Sequence, residues 1–323
     1  MNGGNVITSC NNQLVVRLAK LSDPKFRRSE GLFLCEGEKL TRDALGCGAC
    51  PRYLLVLESE LEKFSELCVK ARRMGAEVLF LSSSPFGKIS TEKSPQGIIA
   101  VLDSSGFCKP FAEGTDERIF MCDGVRDPGN LGTIIRTAAA TGFDTVVISV
   151  CADVLSPKTV RASMGGIFRI NVRISADMAE TVRLLRSAGR RVFAAALGEN
   201  SKCLGRFELR ADDVFLVGNE GHGLSDELIS SCTESVLIEM VGDTDSLNVS
   251  CASTILMWEM SKVFNGISVR SVTDHGLKKI LGVAVHVLRA GKHVRRKAYR
   301  LFRKCAARIR FRSGRDRKMH IEG

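Results

Sequence analysis

Polar side chains and glycines that could build a catalytic site occur in three short segments of the second half of the chain. They are Asn130-Leu-Gly-Thr-Ile-Ile-Arg136, Gly218-Asn-Glu220-Gly-His-Gly223, and Ile238-Glu-Met240 followed by Ser246-Leu-Asn248. Each lies close to the end of an apolar run typical of a strand, where open α/β sheets place their binding sites. The three loops must converge to act on one substrate, so their spacing is as informative as their residue types.

Arg136 is the strongest candidate for a group that acts on a substrate. It lies among mostly apolar or small residues with helical spacing. A guanidinium there can offer a planar fork of donors to a phosphate or to a reacting hydroxyl. Asn130 follows the turn-forming Asp127-Pro-Gly and is suited to cap the same helix. Two interpretations stay open for each residue: Arg136 as a surface charge, and Asn130 as a plain cap.

The glycine-rich turn that follows the apolar run 214–217 predicts a close approach of backbone to a ligand. Its Glu220 is a lone carboxylate, which could act on a substrate or only accept hydrogen bonds that stabilise the turn. Ser246 and Asn248 open a helical segment and could also be caps. A dinucleotide fingerprint would come early in its domain, with an acidic residue about twenty positions on. This chain lacks it, which disfavours a nicotinamide-dependent oxidoreductase.

In their order and spacing the three segments resemble the sequence motifs of the SpoU family of RNA ribose 2′-O-methyltransferases, part of the knotted SPOUT superfamily. The resemblance implies S-adenosylmethionine as cofactor, and two groups of site residues are predicted. The predicted catalytic residues are Arg136, Asn130, Glu220, Ser246 and Asn248. For three of them the resemblance implies the role: Arg136 in catalysis, Asn130 in shaping the site, and Glu220 in ordering the active-site loops. The implied cofactor-binding residues are Gly218, Ile238, Met240 and Leu247, which act largely through their backbone. Glu239 stands where the family commonly has proline. We expect Gly218→Val to block the cofactor pocket while leaving the fold largely intact.

The first hundred residues resemble the N-terminal substrate-binding domain that is often fused to SpoU methyltransferases. The resemblance is carried by Lys25, Arg27, Arg28, by Phe33 with Glu36-Gly37, and by Ser94-Pro-Gln-Gly97. It implies a small ribosomal-protein-like α/β domain in which Lys25, Arg27 and Arg28 bind RNA.

Alternation of apolar runs and amphipathic segments predicts an α/β protein throughout. The predicted strands are 30–37, 53–57, 78–81, 98–102, 119–122, 145–150, 169–172, 191–196, 214–217 and 235–238. The predicted helices are 38–45, 60–74, 86–90, 131–141, 178–187 and 248–263. Short apolar runs separated by helices favour a parallel sheet with helices on both faces in the C-terminal part. That this sheet is an α/β knot is implied by the resemblance alone.

The predicted organisation is an N-terminal RNA substrate-binding domain (1–103), a linker (104–117), a methyltransferase domain (118–268) and a basic extension (269–323). The chain has a net charge of +11, and residues 270–323 hold 17 Lys or Arg against 3 Asp or Glu. Such a segment could follow a phosphate backbone. It could equally be a solvated tail without a partner, or an artefact of the gene boundary.

Composition and cysteine usage are consistent with a cytoplasmic protein. The 12 cysteines have no even spacing, and the close pair Cys47 and Cys50 has no second pair or nearby His. This predicts reduced thiols and no metal site. No apolar run approaches membrane-spanning length. The predicted function is methyl transfer to a ribose 2′-hydroxyl of structured RNA, ribosomal RNA being favoured over transfer RNA. The resemblance also implies a homodimer. The alternative is a non-catalytic RNA-binding or ribosome-assembly protein that retains the fold.

Overall fold

Two β-sheets organise the part of the chain that the computed structural model describes, residues 6–112, 118–198, 201–241 and 246–265. One sheet has four strands and the other eight. Within these residues no helix is both long and apolar enough to cross a membrane. The basic extension predicted at 269–323 lies outside the described residues, so its role stays a prediction.

Helices and strands alternate along the whole described chain. The first part contains α1 (Gln13–Ala19), α2 (Pro24–Glu30), β1 (Leu32–Glu36), α3 (Glu38–Gly46), β2 (Pro51–Leu57), α4 (Ser65–Arg73), β3 (Glu77–Leu81), α5 (Ser83–Ile89), β4 (Ile98–Asp103) and β5 (Lys109–Pro110). The second contains β6 (Ile119–Asp123), α6 (Pro128–Thr141), β7 (Thr145–Ser149), α7 (Pro157–Ala162), β8 (Asn171–Ile174), α8 (Met178–Ser187), β9 (Val192–Ala195), β10 (Lys202–Cys203), β11 (Val214–Val217), α9 (Asp226–Ser231), β12 (Glu234–Leu237) and α10 (Val249–Phe264).

The four-stranded sheet has the order β1-β4-β2-β3 and forms the predicted small α/β unit. Sequence periodicity missed its first two helices. Helix α2 begins at Pro24 because Asp23 caps it, accepting a hydrogen bond from the backbone N–H of Lys25 at 2.7 Å. It ends at Gly31, whose φ of 65° favours glycine. Both ends therefore carried local signals, but the helix is too short to show a clear apolar period.

The eight-stranded sheet has the order β10-β12-β9-β11-β6-β7-β8-β5, and its strand pairs are parallel. Successive residues of its central strands point to opposite faces. Phe120 and Cys122 of β6 belong to the core that includes residues of α6 and α10, whereas Met121 packs with residues of α8 and α9. The predicted parallel sheet with helices on both faces is confirmed.

Part of the predicted linker belongs to the folded core. Strand β5 pairs with β8 at the edge of the large sheet. Phe107 packs edge-on against Phe33 of the small sheet, with ring centroids 5.2 Å apart, and against Phe168 at 6.1 Å. Residues 104–112 therefore help to pack the two sheets against each other. The domain boundaries themselves stay a prediction.

Candidate functional site

The three predicted segments meet at one edge of the eight-stranded sheet. Strands β12, β9, β11 and β6 are neighbours and run parallel, so their carboxyl ends lie side by side. The first segment lies in α6, which follows the loop after β6, the second is the loop after β11, and the third follows β12 and leads into α10. This is the edge where open α/β sheets bind ligands.

Glu220 is the centre of a hydrogen-bond network that joins two of these loops. Its Oε2 accepts from the backbone N–H of Arg126 at 3.1 Å. Its Oε1 accepts from the backbone N–H of Asp127 at 3.2 Å and from Nδ2 of Asn130 at 3.0 Å. Partial burial opposes ionisation, but these hydrogen bonds outweigh it and lower the pKa of Glu220. We call Glu220, Asn130 and these two backbone N–H groups the Glu220 network.

Asn130 does not cap its helix, so the plain-cap interpretation is wrong. The cap of α6 is Asp127, whose Oδ1 accepts from the backbone N–H of Asn130 at 2.9 Å. The helix consequently starts three residues before the predicted residue 131. A hydrogen bond from Lys158 at 2.8 Å is the main reason that the pKa of Asp127 is lowered. With the cap supplied by Asp127, the Asn130 side chain is available to Glu220.

Gly218 and Asn219 fix the shape of the second loop. Asn219 Nδ2 donates to the carbonyl of Gly124 at 2.8 Å, and Oδ1 accepts from the backbone N–H of Gly221 at 2.8 Å. A Cβ on Gly218 would lie 2.4 Å from the carbonyl carbon of Gly223. The expectation that Gly218→Val leaves the fold intact is therefore wrong, because the new side chain would overlap backbone of its own loop. Asn219 was missed in the sequence, although it lies between two assigned residues.

Arg136 is exposed on α6, about two turns from the helix start. No hydrogen bond or ion pair joins its side chain to other described residues. Its neighbour Thr137 lies 3.4 Å from Thr254 of α10, measured between hydroxyl oxygens. A Cβ on Gly166 would lie 2.9 Å from the Cα of Arg136, so the backbone packs tightly there. The backbone of Arg136 is thus fixed while its guanidinium remains available to a ligand.

Asn248 caps α10, as one interpretation predicted. Its Oδ1 accepts from the backbone N–H of Ser250 at 2.8 Å and from the Ser250 hydroxyl at 2.7 Å. Ser246 is exposed two residues earlier. In the described part of one chain, no hydrogen bond joins these two residues to Arg136 or to the Glu220 network. Catalytic roles for Ser246 and Asn248 stay a prediction.

Apolar side chains surround the predicted cofactor-binding loops. Ile238 and Met240 are half-buried after β12, and Leu247 is 36% exposed before α10. Two residues that the sequence did not single out lie at the same strand ends: Leu197 after β9 is 74% exposed, and Val241 is 99% exposed. Exposed apolar side chains beside a glycine-rich turn suit the flat face of an aromatic ring such as adenine. S-adenosylmethionine therefore fits this part of the edge.

Glu239, at the position where proline was expected, forms an ion pair instead. Its Oε1 accepts from Nη2 of Arg206 at 2.7 Å. Both side chains are well exposed, so the pair contributes little to stability.

The three predicted RNA-binding residues of α2 lie in two different environments. Lys25 and Arg28 are exposed and three positions apart, so they share a side of the helix. Arg27 is only 4% exposed, and Nη2 donates to Oδ2 of Asp153 at 2.6 Å. The prediction that Arg27 binds RNA is therefore wrong, because its guanidinium is buried and bound within the protein.

Neither a metal cluster nor a disulfide occurs in the described part of the chain. No group of three His, Cys, Asp or Glu residues there could hold a metal ion. The cysteines of the same residues are free thiols.

Two family profiles match most of the chain. The SpoU rRNA Methylase family matches residues 117–258. The MRM3-like substrate binding domain matches residues 12–100. The first match contains strands β6 to β12 of the large sheet, and the second contains most of the small sheet, as the sequence resemblance implied.

Known proteins support the same assignment over nearly their full length. The chain is 32% identical to the 23S rRNA (guanosine(2553)-2′-O)-methyltransferase RlmP of Bacillus subtilis, over 79% of this chain and 98% of that protein. An AdoMet-bound rRNA methyltransferase from Sinorhizobium meliloti has a TM-score of 0.71 and 31% identity, covering 80% of this chain and 97% of its own.

The SpoU methyltransferase AviRb from Streptomyces viridochromogenes, also in complex with AdoMet, has a TM-score of 0.66 and 26% identity, covering 79% of this chain and 100% of its own. The predicted SPOUT fold class is thereby confirmed. The chain belongs to the SpoU rRNA methylase family of methyltransferases, which use S-adenosylmethionine.

Proposed function

We propose that this enzyme transfers the methyl group of S-adenosylmethionine to a ribose 2′-hydroxyl of ribosomal RNA. The observation that carries the proposal is the convergence of the three motif loops at one sheet edge, with Glu220 and Asn130 hydrogen-bonded across it. Ribosomal RNA is favoured because the Bacillus subtilis relative acts on 23S rRNA and the Sinorhizobium meliloti structure is an rRNA methyltransferase.

The cofactor, when bound, supplies a methyl group on a positively charged sulfur that is already electrophilic. The protein must therefore orient the ribose hydroxyl and assist the loss of its proton. Orientation alone can contribute about 7 kcal/mol in well-aligned cases. Assisted proton removal typically contributes about 10²–10⁴-fold.

We assign to Arg136 the activation of the ribose 2′-hydroxyl. A guanidinium offers hydrogen-bond donors and no acceptor, so Arg136 acts by hydrogen bonding to the hydroxyl or to an adjacent phosphate rather than as a base. No described residue binds its guanidinium, so none of them competes with RNA for it. Ser246 and Asn248, just before α10, complete the set of proposed catalytic residues.

Glu220 has a positioning role. Its carboxylate already accepts three hydrogen bonds, and its lowered pKa makes it a poor proton acceptor. It holds the loop after β6 and orients Asn130, whose amide is then fixed at the edge. The proton from the ribose hydroxyl must go elsewhere, to solvent or to an RNA phosphate.

We assign RNA binding to helix α2, in the small-sheet part of the chain. Lys25 and Arg28 present two positive charges on one side of α2, where they can meet phosphates. The basic extension beyond residue 268 is a second predicted contact, on residues outside those described.

The enzyme is proposed to act as a homodimer. Trp258 of α10 is 59% exposed, and Cys251 and Thr254 are exposed on the same helix. Exposed tryptophan is typical of interface anchors. Thr137 contacts Thr254, so this surface continues to the helix that carries Arg136. We expect Trp258→Glu to shift sedimentation from dimer to monomer, and an unchanged dimer would contradict this interface.

A cytoplasmic location is also proposed. It is supported by the 12 cysteines without regular spacing, which are typical of reduced thiols.

The test is methyl transfer from tritiated cofactor to deproteinised ribosomal and transfer RNA, followed by complete alkaline hydrolysis. Methylation of a 2′-hydroxyl blocks cleavage of the neighbouring phosphodiester, so the label should appear in alkali-resistant dinucleotides from ribosomal RNA. Label on a base, or on transfer RNA alone, would contradict the proposal. RNA binding without transfer would favour the non-catalytic alternative instead.

A further inference from the structure

We propose that the buried pair Arg27–Asp153 is a positioning device that fixes the RNA-binding helix α2 against the catalytic edge. The inference rests on the proposed function and extends it to two residues outside the motif loops. It assigns to Arg27 a part in the rate of methyl transfer to bound RNA.

Three hydrogen-bond acceptors hold the Arg27 side chain. Its Nη1 donates to the carbonyl oxygens of Leu21 at 2.7 Å and Ser22 at 2.8 Å, and its Nη2 donates to Asp153 Oδ2 at 2.6 Å. The first two acceptors belong to the small-sheet part of the chain and the third to the methyltransferase part. Because Arg27 is 4% exposed, Asp153 is also the neutralising partner of a buried charge.

Asp153 lies in the loop 150–156, which is bonded to the catalytic loop after β6. Its neighbour Ala152 donates its backbone N–H to the carbonyl of Val125 at 2.8 Å. The backbone N–H of Gly124 in turn donates to the carbonyl of Ser149 at 2.8 Å. Val125 directly precedes Arg126, whose backbone N–H is held by Glu220. Hydrogen bonds and covalent neighbours thus lead without interruption from α2 to the Glu220 network.

The loop 150–156 is held in one shape from several directions. Val150 has a φ of 51°, a conformation that is a genuine outlier for a β-branched residue. Its side chain is 70% exposed, so packing of that side chain does not impose the conformation. Strain of this kind persists where the surrounding contacts over-determine the backbone. Here those contacts are the hydrogen bonds of Ser149 and Ala152 on either side, and the Arg27–Asp153 pair beyond them.

The outward face of α2 explains why this rigidity matters for catalysis. Lys25 and Arg28 are exposed, whereas Arg27 between them points inward. The pair therefore sets where two RNA-binding charges lie relative to the catalytic loop. Breaking it should leave the charges able to bind RNA but no longer hold the target ribose in line. A misplacement of about 1 Å can cost on the order of 10²-fold in rate.

The experiment compares Arg27→Lys and Asp153→Asn with the full-length wild-type enzyme. Lysine keeps the charge but cannot reach three acceptors with one planar fork. Asparagine keeps the size of Asp153 and an acceptor for the backbone N–H of Leu155, now 2.9 Å away. At saturating RNA and cofactor, we expect the single-turnover rate to fall about 10- to 100-fold. The dissociation constants for RNA and for cofactor should stay within about threefold of the wild type, because Lys25, Arg28 and the cofactor loops are unchanged.

Arg191→Gln is the matched control. Arg191 forms a similar pair with Asp213, with Nη2–Oδ2 at 2.6 Å and Nε–Oδ1 at 2.8 Å, but both residues belong to the large-sheet part of the chain. Thermal unfolding of all variants separates loss of stability from loss of positioning. If Arg27→Lys does not fold, Asp153→Asn alone decides, since Asp153 is partly exposed.

A normal saturated rate in folded Arg27→Lys and Asp153→Asn would overturn the inference. So would a loss of rate equal to that of Arg191→Gln, or a loss of RNA affinity in proportion to the rate. A wild-type enzyme that transfers no methyl group to ribose would refute the proposed function itself, whereas an active wild type with normal variants would refute only the positioning pair.

Discussion

The two halves of the catalytic edge are built differently. In the half formed by the loops after β6 and β11, polar groups are paired: Glu220 accepts three hydrogen bonds, and Asn219 bonds to Gly124 and Gly221. In the half formed by the loop after β12 and the start of α10, Val241 and Leu247 expose apolar surface. The first half is complete within one chain, while the second presents surface that a ligand would cover.

This difference assigns the two halves to different tasks. Groups that are already paired hold their geometry before substrate arrives, which is how a site stabilises a transition state without reorganising. Covering exposed apolar side chains with a ligand is favourable, because it removes apolar surface from water. Such side chains therefore contribute to affinity. Substitutions of polar side chains in or beside the first half, such as Arg136, should change the rate, and substitutions of the exposed apolar residues Val241 and Leu247 in the second half should change cofactor binding.

The largest effect is expected for Arg136→Ala, beside the paired half. Single-turnover methyl transfer should fall at least about 100-fold, the lower end for loss of assisted proton removal. Cofactor affinity and melting temperature should barely change, because the Arg136 side chain is exposed and bonded to no other described residue. Quench-flow with labelled cofactor measures the rate, and calorimetry measures the affinity.

Arg136→Lys is the control for that experiment. It keeps the charge and loses the planar fork, so its rate should lie between those of the wild type and Arg136→Ala. A near-normal rate in Arg136→Ala would remove the residue from the chemistry. A large loss of cofactor affinity would move it to the other half of the edge.

Leu247→Ser should weaken cofactor binding about tenfold. Full burial of a leucine side chain contributes about 1.5–3 kcal/mol. Leu247 has only part of its surface left for the cofactor to cover, so we expect about 1.4 kcal/mol or less, which corresponds to about tenfold in affinity. Because Leu247 is already 36% exposed in the folded protein, the substitution should lower the melting temperature less than substitution of a fully buried leucine would. Isothermal titration with S-adenosylmethionine measures the change. Exposed Val69 on α4 offers a control, because Val69→Ser removes apolar surface from a helix that carries none of the three motif segments. Equal affinities in wild type and Leu247→Ser would refute the assignment of this half.

The double variant Lys25→Ala/Arg28→Ala should weaken RNA binding several-fold at low salt. Each phosphate contact contributes about −0.7 to −0.9 to the slope of log affinity against log salt, so the slope should become shallower by about 1.4–1.8. Lys70 with Arg73, two exposed residues of α4, provide a charge-matched control pair. If the two double variants gave the same slope, α2 would not be the RNA contact.

The smallest effect concerns Glu220 and acid stability. Hydrogen bonds lower its pKa in the folded protein below the ordinary value of 4.5. Its contribution to stability is therefore present above about pH 4.5 and is lost as pH falls through the lowered folded pKa. The free energy of unfolding of the wild type should drop more steeply below pH 4.5 than that of Glu220→Gln. Urea titrations at several pH values measure this, and parallel curves would show that the network does not stabilise the carboxylate.

The sequence predicted the parallel sheet and the positions of the motif loops, because buried strands such as 119–122 and 214–217 are unbroken apolar runs. One of its two interpretations of Asn248, as a helix cap, is also confirmed. It misplaced the cap of α6, since Asp127 and Asn130 are equally good caps and only the fold shows that Glu220 engages Asn130.

Arg27 shows why burial of a charge is hard to predict. In the sequence it stands between Lys25 and Arg28 as one of three basic residues. Its burial depends on Asp153, which lies 126 positions away, and no local pattern links the two. Leu197 was missed for a similar reason: an apolar residue after a strand is unremarkable until neighbouring strand ends form a ligand edge around it.

The most direct test of the division between the two halves is the single-turnover rate as a function of cofactor concentration, for Arg136→Ala and Leu247→Ser side by side. Leu247→Ser should need about tenfold more cofactor and still reach the wild-type plateau. Arg136→Ala should keep the wild-type midpoint and reach a plateau at least about 100-fold lower. A lowered plateau for Leu247→Ser, or a shifted midpoint for Arg136→Ala, would show that the two halves do not have separate tasks.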